Sequence, residues 1–531
     1  MKRAGFKAAL AASLMAFAAL PALADTHSWR GPHGNFSVGS NWSNGAVPSA
    51  GDDLTFYRAA ANASTWQYAT NDLSVTFAEI QFTAGNIDIA GNLATGSGKN
   101  LRIATADAAK SPFAAVNKSS GNWTVGKDIY IGGSLTSHTN MTGVLTNKAG
   151  NITATSGWIY IGGTLTAAGL PNVTGTLVNV SGTIKTAAMV IGGRANNTKG
   201  RLEIRGGTVE ATGYDKMLNT SDWVGVLLGG WGGASSSIYV AKEGTMKLSY
   251  GGANIVVLDG TTEIDVDGLL TLNNGSIWPT SAITNQKKFV LRVGPEGRVE
   301  FRSIKSVSSG GDRMVKLDGG TIVPNGASGY EHPLANVSLK VTDKGGTIEV
   351  PSGKSLYTGV WVTSTSSAKS SRLIKTGAGT LTIDNWFRPS GGLRVNAGTV
   401  QMTHTASANF DSFNYPLSIS KTGTVTGGAF VMGSGGSLEF EFASKTSGET
   451  MNITTSFTRN ANIPISFSTE SAFGFDDTYT LVKGGKIANT NNFSIASATA
   501  DGADITQGVY LAVESGNLVL KRKPYFMIKV R

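Results

Sequence analysis

The sequence contains no cysteine and five histidines, and charged residues make up only 15% of its 531 positions. The missing cysteines exclude disulfides, thiolate metal sites and a cysteine nucleophile. The sequence also lacks the motifs of a nucleophile elbow, a phosphate loop, a dinucleotide-binding turn and a paired-histidine zinc site. We therefore assign no catalytic residue, no cofactor-binding residue and no metal ligand, and we expect no cofactor.

Long runs with the 3.6-residue spacing of an amphipathic helix are scarce. Short alternating apolar runs, broken by some of the 69 glycines, occur throughout instead. This pattern is typical of an all-β protein. Hydrophobic residues make up 40% of the chain and the mean hydropathy is −0.03, which is too apolar for general disorder.

Residues 1–24 are predicted to be a secretory signal peptide. They combine a basic start, an apolar segment over 8–20 and a small-x-small ending, so we predict cleavage after Ala24 and a mature chain that begins at Asp25. The apolar segment is shorter than the about 20 residues that a bilayer requires. No later run reaches that length, so we expect an exported protein without a transmembrane segment, located at the cell surface, outside the cell or in the periplasm.

The net charge is +10, and three of the positive charges lie in the predicted leader. The densest basic run is Lys521-Arg522-Lys523. It could contact an acidic surface such as lipopolysaccharide or nucleic acid. We favour the interpretation of a charged final strand that discourages edge-to-edge pairing, and we expect no nucleic-acid partner.

A repeated unit is visible between about residues 127 and 247. Ile-Gly-Gly occurs at positions 131, 161 and 191, and Leu-Gly-Gly follows at 228. Each copy reads as strand, Gly-Gly turn, polar loop, strand, Gly turn and strand. One such coil cannot bury its apolar side chains alone, whereas stacked coils share a continuous core. The unit predicts a solenoid, and an array of β-sandwiches is the alternative.

Two segments, 373–383 and 391–400, carry a family resemblance. They read LIKTGAGTLTI and GGLRVNAGTV, with a lysine, Gly-x-Gly-Thr-Leu, a Gly-Gly turn and a closing Asn-Ala-Gly-Thr strand. This pattern resembles the autotransporter-associated β-strand repeat, over 373–402. Trp386-Phe387-Arg388-Pro389 departs from it, because the family usually has a loop rich in Asn, Thr and Tyr there. The resemblance implies an elongated right-handed parallel β-helix displayed outside a bacterial cell.

The same resemblance suggests the domain organisation. The signal peptide (1–24) is followed by an N-terminal capping segment (25–60), a β-helix solenoid (61–460) and a C-terminal β capping segment (461–531). Eleven residues follow Leu520, too few for a C-terminal translocator barrel built from strands of about ten residues each. We therefore expect a passenger-type protein without its own translocator, served by a separate outer-membrane transporter.

Three groups of side chains are weighed as site candidates. No two histidines have a metal-pair spacing, including the neighbours His27 and His33; the five are His27, His33, His138, His332 and His404. Glu263, Asp265 and Asp267 alternate along one strand, where three carboxylates could hold Ca²⁺. No Lys or Arg of obvious role lies beside them, and we interpret them as a solvated outer face, with Ile264 and Val266 inside. Several tryptophans could stack on sugars, although core filling is favoured; these are Trp158, Trp223, Trp231 and Trp361.

Three functions remain open from the sequence. The leading hypothesis is a non-catalytic bacterial surface or secreted protein, adhesin-like or matrix-type. It would bind surface glycans or host or matrix polymers through an extended side face. The alternatives are a carbohydrate-active β-helix enzyme such as a polysaccharide lyase, and a purely structural component of the cell surface.

Overall fold

The structure is a computed structural model that describes most of the chain. The described residues are 24–57, 65–104, 113–133, 140–164, 172–193, 197–214, 223–229, 234–258, 260–279, 286–305, 312–326, 331–403, 413–445, 450–459, 461–484, 486–487 and 489–524. The predicted signal peptide lies outside them except for Ala24.

Strands form nearly all of the regular structure in the described part of the chain, as an all-β fold requires. In chain order they are β1 (Thr26–Trp29), β2 (His33–Asn35), β3 (Asp53–Phe56), β4 (Trp66–Asn71), β5 (Ile80–Phe82), β6 (Gly85–Gly91), β7 (Leu93–Ala94), β8 (Leu101–Ile103), β9 (Phe113–Lys118), β10 (Trp123–Val125), β11 (Ile129–Ile131), β12 (Thr142–Asn147), β13 (Ile152–Ala154), β14 (Trp158–Ile161), β15 (Thr174–Asn179), β16 (Thr183–Thr186), β17 (Ala188–Ile191), β18 (Lys199–Ile204), β19 (Gly207–Ala211), β20 (Val224–Leu228), β21 (Ser235–Val240), β22 (Gly244–Leu248), β23 (Asn254–Val257), β24 (Gly260–Val266), β25 (Leu269–Leu272), β26 (Ile277–Pro279), β27 (Gln286–Val293), β28 (Arg298–Phe301), β29 (Ile304–Lys305), β30 (Asp312–Leu317), β31 (Thr321–Pro324), β32 (Glu331–Ala335), β33 (Ser338–Val341), β34 (Gly346–Glu349), β35 (Ser355–Thr358), β36 (Val362–Ser364), β37 (Leu373–Thr376), β38 (Thr380–Ile383), β39 (Phe387–Arg388), β40 (Leu393–Met402), β41 (Pro416–Met432), β42 (Ser437–Phe442), β43 (Met451–Arg459), β44 (Ile463–Thr469), β45 (Thr478–Gly484), β46 (Phe493–Ala500), β47 (Ala503–Asp504), β48 (Val509–Glu514) and β49 (Asn517–Arg522). Within the described ranges the helical elements are two single 3-10 turns, Gly39–Asn41 and Thr506–Gly508. No helix among the described residues is long and apolar enough to cross a membrane.

These strands stack in parallel as a β-solenoid of about 15 turns. A 14-stranded parallel sheet, which we call the front sheet, runs from β2 to β39. The other strands form a 35-stranded sheet that contains two further rows of parallel strands. The second row includes β10, β13 and β16, and the third row includes β11, β14 and β17. The predicted solenoid is confirmed, and its right-handed winding stays a prediction.

The sequence repeat coincides with the coil of the solenoid. Ile131 pairs with Ile161, Ile161 with Ile191, and Ile191 with Leu228, so the four copies of the triplet lie in one column. The predicted order of strands within each copy is confirmed, whereas most of each polar loop (134–139, 165–171, 194–196 and 230–233) lies outside the described residues. Because each parallel strand pairs with the equivalent strand one coil away, each inward position forms a column of its own.

The core consists of such columns. One runs through the front sheet and contains Leu145, Leu177, Leu202, Ile238, Ile264, Leu291, Val315, Leu339, Val362 and Phe387. All ten side chains are buried. Burial of each such aliphatic side chain contributes about 1.5–3 kcal/mol, and stacking extends this gain along the whole solenoid.

The first coil carries an aromatic cluster. Trp29, Phe36, Trp42 and Phe56 are buried, with ring centroids 5.0–6.2 Å apart. The Trp42 indole donates a hydrogen bond of 2.9 Å to the carbonyl of Phe36. Because the first described coil has only one neighbouring coil among the described residues, these rings supply apolar contacts on its other side.

The last described coils depart from the parallel pattern. β49 pairs antiparallel with β45 and also with β48. The basic run does lie on the last described strand, as interpreted, but it does not protect a free edge, because β49 has a partner on both sides. Lys521 pairs with Glu514, and Arg522 donates a hydrogen bond to the carbonyl of Phe473 and lies over the Phe475 ring.

Two lysines are fully buried at corners of the solenoid. Lys375, the lysine of the family-like repeat, donates to the carbonyls of Thr376, Gly377 and Ala397 at 2.9, 2.6 and 3.0 Å. Lys118 donates to the carbonyl of Ala149. Burial lowers the pKa of each ammonium group to about 8. Both lysines satisfy backbone carbonyls where the chain turns away from the ladder.

The glycine corners should be sterically essential. Gly162 has a φ of +78°, and a Cβ added there would lie 2.0 Å from the carbonyl oxygen of Lys199 on the next coil. Gly162→Ala should cost several kcal/mol, because left-handed strain of about 1–3 kcal/mol is joined by this overlap. The matched control is Gly502→Ala, since Gly502 has a φ of +73° with no atom within 4 Å of the added Cβ. If both variants lowered the urea concentration at the midpoint of unfolding equally, the steric explanation would be contradicted.

The buried lysines predict a pH dependence of stability. Their folded pKa of about 8 is below the ordinary value of 10.5, so between these values the unfolded chain binds more protons than the folded chain. The free energy of unfolding should therefore rise as the pH increases from 8 to 10.5, and this rise should be smaller in Lys375→Met.

The same variant tests the carbonyl contacts at neutral pH. Lys375→Met should lower the free energy of unfolding by about 2–3 kcal/mol, because three buried carbonyls lose their donor. Lys199→Met, which alters an exposed lysine of β18, is the control and should change little. Urea melts at several pH values measure both effects. A variant with wild-type stability and an unchanged pH profile would contradict this role.

Candidate functional site

The last third of the front sheet presents two columns of outward side chains. The coil register aligns Val290, Met314 and Ser338, and it places Trp361 and Trp386 on the next two coils. Two residues further along the same strands lies a basic column, formed by Arg292, Lys316, Lys340, Thr363 and Arg388. Alternation along a strand puts both columns on the same outer face, about 6.6 Å apart.

Trp361 and Trp386 stack on each other across adjacent coils. Their ring centroids are 5.0 Å apart and their planes are inclined by 11°. The Arg388 guanidinium lies 4.2 Å from the centroid of the Trp386 ring, within cation–π range. Trp361 is 54% exposed, a high value for so large an apolar side chain. The stack therefore ends in an indole that is open to solvent.

The backbone around the two tryptophans is tied to the neighbouring coils. Leu339 N–H donates to the carbonyl of Trp361 at 3.0 Å, and Val362 N–H donates to the carbonyl of Trp386 at 2.8 Å. The Asn385 side chain accepts from Trp386 N–H and donates to the carbonyl of Gly359. The aromatic pair is thus held on a rigid ladder.

Charge compensation changes along the front sheet. Towards the N-terminal coils several cations have carboxylate partners, such as Lys148 with Asp88 and both Arg201 and Arg205 with Glu203. Lys316 and Lys340 form no ion pair with a carboxylate anywhere in the described part of the chain. We call the patch formed by Lys316, Lys340, Trp361, Trp386 and Arg388 the tryptophan–lysine face.

The other two rows are less available to a ligand. On the third row the outward side chains Val190, Leu227 and Val256 are buried in a second apolar cluster, together with Trp158. The second row carries inter-coil ion pairs, among them Lys185 with Glu210 at 3.3 Å and Arg298 with Glu349 at 2.7 Å. Of the three rows, the front sheet is the one with exposed aromatic surface beside unpaired cations in its described residues.

Glu263, Asp265 and Asp267, which we call the acidic triad, do not form a free carboxylate site. Ile264 and Val266 point into the core as predicted. On the next strand, however, Lys288 pairs with Glu263, and Arg292 contacts both Asp265 and Asp267. The expectation that no basic residue lies beside the triad is therefore wrong, because stacking brings in cations that are 25 or more residues away in sequence. Among the described residues no group of acidic and histidine side chains could hold a metal ion.

Arg292 is held too tightly to act as a base. It also contacts Asp318 at 2.8 Å. Burial alone would lower its pKa, but the hydrogen bonds to Asp265 and Asp318 outweigh burial and raise the pKa above its usual range. The arginine stays protonated and serves as a bridge between three coils.

The three histidines among the described residues are not brought together. His27 is buried and contacts Asp52 at 3.0 Å, whereas His33 is exposed and packs against Tyr68. His332 lies in β32, in the third row. His138 and His404 lie outside the described residues.

The tryptophans named from the sequence lie in different environments. Trp158 packs in the second apolar cluster, in agreement with the core interpretation. Trp223 is 37% exposed and packs with Tyr214 and Tyr250 at the corner between the second and third rows. Trp361 is open to solvent, so core filling is the wrong interpretation there. Trp231 lies outside the described residues.

Sequence reasoning missed Lys316, Lys340 and the role of Trp386. The departure of 386–389 from the family pattern was the available signal for Trp386 and Arg388. The buried outer side of the third row also had a signal, since strands such as β17 (Ala188–Ile191) are apolar at every position, which is typical of burial on both faces.

Comparison with known proteins adds no relative: no family model, curated protein or solved structure matches the chain.

The ion-pair arrangement around Arg292 predicts how the acidic strand responds to calcium. Millimolar Ca²⁺ should leave the thermal midpoint of the wild type unchanged, because the carboxylates already have cationic partners. Arg292→Gln should cost about 1–3 kcal/mol, and calcium should recover part of that loss. Arg201→Gln is the control, since Glu203 keeps Arg205. A calcium-dependent increase in the wild-type midpoint would contradict this picture.

Proposed function

We propose that the chain is an exported, non-catalytic surface or secreted solenoid that binds a glycan or matrix polymer through the tryptophan–lysine face. The observation that carries the proposal is the exposed Trp361–Trp386 stack beside unpaired lysines. Exposed apolar surface rimmed by polar residues is typical of an interaction site. Aromatic side chains with one open face are the usual partners of sugar rings and other flat groups.

Export is the part of the proposal that rests on sequence. The predicted leader and the resemblance to passenger-type repeats both point to a bacterial surface or secreted protein. An outer-membrane transporter encoded separately would then move the chain to its final location. The solenoid suits such a place, because its inter-coil hydrogen bonds and apolar core need no disulfide.

The protonation and the accessibility of the basic side chains favour non-catalytic binding over the activity of a polysaccharide lyase. A lyase requires an available base near clustered carboxylates. Arg292, the base beside the acidic triad, is protonated and bridged. Lys118 and Lys375 have a lowered pKa, but both are buried at corners and out of reach of a substrate.

The proposal predicts that the exported chain sediments with polymers or cells and that the tryptophans are responsible. Trp361→Ala and Trp386→Ala should each reduce bound protein several-fold, because one half of the stack is lost. Trp223→Ala removes an exposed tryptophan at another corner and should bind like the wild type. Pull-down on insoluble polysaccharides and whole cells measures the effect.

Three outcomes would overturn parts of the proposal. Full binding by both stack variants would show that another surface is used. Retention of the unprocessed chain in the cytoplasm would contradict export, whereas a fractionated protein that begins at Asp25 would support it. Unsaturated sugar products from uronic-acid polymers would overturn the non-catalytic assignment.

A further inference from the structure

We infer that the ligand of the tryptophan–lysine face is an acidic polysaccharide, bound with its chain along the axis of the solenoid. This inference rests on the proposed function and specifies the ligand. Three features support it: the open ring of Trp361, the small side chain of Ser338 beside that ring, and two lysines, Lys316 and Lys340, that lie one coil apart.

The open ring of Trp361 has room for one stacked ring. On one side it contacts Trp386. On the other side the same column continues with Ser338. Leu339 pairs with Val362, so the residues just before them, Ser338 and Trp361, lie side by side on adjacent coils. Serine fills little of the space above its coil, so a planar group placed there would lie about 4.8 Å from the indole. That distance is within the 4.5–7 Å range of stacked rings.

Lys340 lies on the coil of that vacant position. It is two residues from Ser338 on β33, which places its side chain on the same outer face about 6.6 Å away. A sugar over Ser338 can therefore stack on Trp361 while its acidic substituent contacts Lys340. The Ser338 hydroxyl is available on the same coil to accept or donate a hydrogen bond.

The next coil repeats this arrangement. Met314 pairs with Ser338, and Lys316 pairs with Lys340. Both Met314 and Lys316 are half-buried, with part of each side chain on the surface. A following sugar would thus contact the thioether side chain and present its acidic group to Lys316. The repeat along the stack defines the direction of the polymer, which runs parallel to the solenoid axis.

The charge of the face selects an acidic ligand. On β33, β36 and β39 the outward residues include Lys340, Thr363 and Arg388 and no carboxylate among their described positions. A neutral glycan would cover two unpaired ammonium groups without compensating them, which costs desolvation energy. A carboxylate or sulfate on each sugar replaces the lost water with a charge-assisted contact.

The face is also pre-organised. Arg388 lies on Trp386, Trp386 stacks on Trp361, and the ladder hydrogen bonds hold both backbones. Little side-chain entropy is lost when the ring of Trp361 receives a ligand, which favours affinity from a small contact.

The test uses the exported full chain and pairs of polymers that differ in charge alone. Dextran sulfate is compared with dextran, and polygalacturonate oligomers are compared with neutral hexose oligomers of equal length. Calorimetry and tryptophan fluorescence at several salt concentrations give the affinity and its salt dependence. We expect the acidic member of each pair to bind at least about tenfold more tightly, because two unpaired ammonium groups are compensated.

The variants separate stacking from charge. Lys316→Gln/Lys340→Gln should weaken acidic-polymer binding by about tenfold and reduce the slope of log affinity against log salt by about two, since two ionic contacts are lost. Trp361→Ala should weaken binding by about tenfold with an unchanged slope, because it removes stacking alone. The matched control Lys185→Gln/Lys247→Gln removes two lysines of the second row and should leave binding unchanged.

Each outcome has a distinct meaning. Equal binding of dextran and dextran sulfate through the same tryptophans would overturn the acidic ligand while leaving polymer binding intact. Absence of binding to every polymer and cell type would overturn both proposals. Single-stranded DNA that binds more tightly than the acidic polysaccharides through these residues would replace the assigned ligand class. Unfolded variants are recognised by their circular dichroism, and Lys316→Arg/Lys340→Arg, which should retain binding, then provides the charge test.

Discussion

The register of hydrogen bonds between coils is the constraint on which the rest of the structure depends. It places Leu145, Leu177 and Leu202 in one column and makes each coil the template for the next. A slip by one residue would turn every inward side chain of a strand to the solvent. No disulfide supports the fold, since the chain has no cysteine, so cooperativity comes from this ladder and the core that it aligns.

Corners are where this ladder is hardest to maintain, and the chain uses two solutions there. Glycines with positive φ allow the backbone of one coil to approach the next, as Gly162 does at Lys199. Buried polar side chains satisfy the carbonyls that turn away from the ladder. Asn147 donates to the side chain of Asn179 on the following coil at 2.7 Å, and Lys375 contacts three carbonyls at its own corner.

The same register organises the surface. Because equivalent positions recur at one coil spacing, an outward tryptophan on two adjacent coils must stack, and lysines two residues along the strand must form a parallel column. The three rows then differ by what occupies these positions. The middle of the third row is closed by apolar side chains, the second row carries ion pairs, and the end of the front sheet presents Trp361 beside Lys340. Recognition by an extended polymer follows naturally from a surface that itself repeats.

Local features of the chain were sufficient for the fold class. Glycine-punctuated strands and the Ile-Gly-Gly triplets determine an all-β solenoid, because their order dictates where a coil turns and which side chains face inward. The positions of Ile264 and Val266 were equally accessible, since alternation along a strand is a property of the backbone. Even the family-like lysine, Lys375, could be recognised as part of a repeat, although its three carbonyl contacts could not.

Only the tertiary structure decided which residues share a column. Lys316 and Lys340 are 24 residues apart and Trp361 and Trp386 are 25 apart, but no recurring triplet marks these coils in the sequence. The partners of Asp265 and Glu263 lie a whole coil away. The sequence by itself determined the repeating strands, the glycine corners and the apolar core, which depend on neighbours along the chain. The tryptophan–lysine face, the bridging role of Arg292 and the closed third row depend on contacts between coils, and those exist only once the solenoid has stacked.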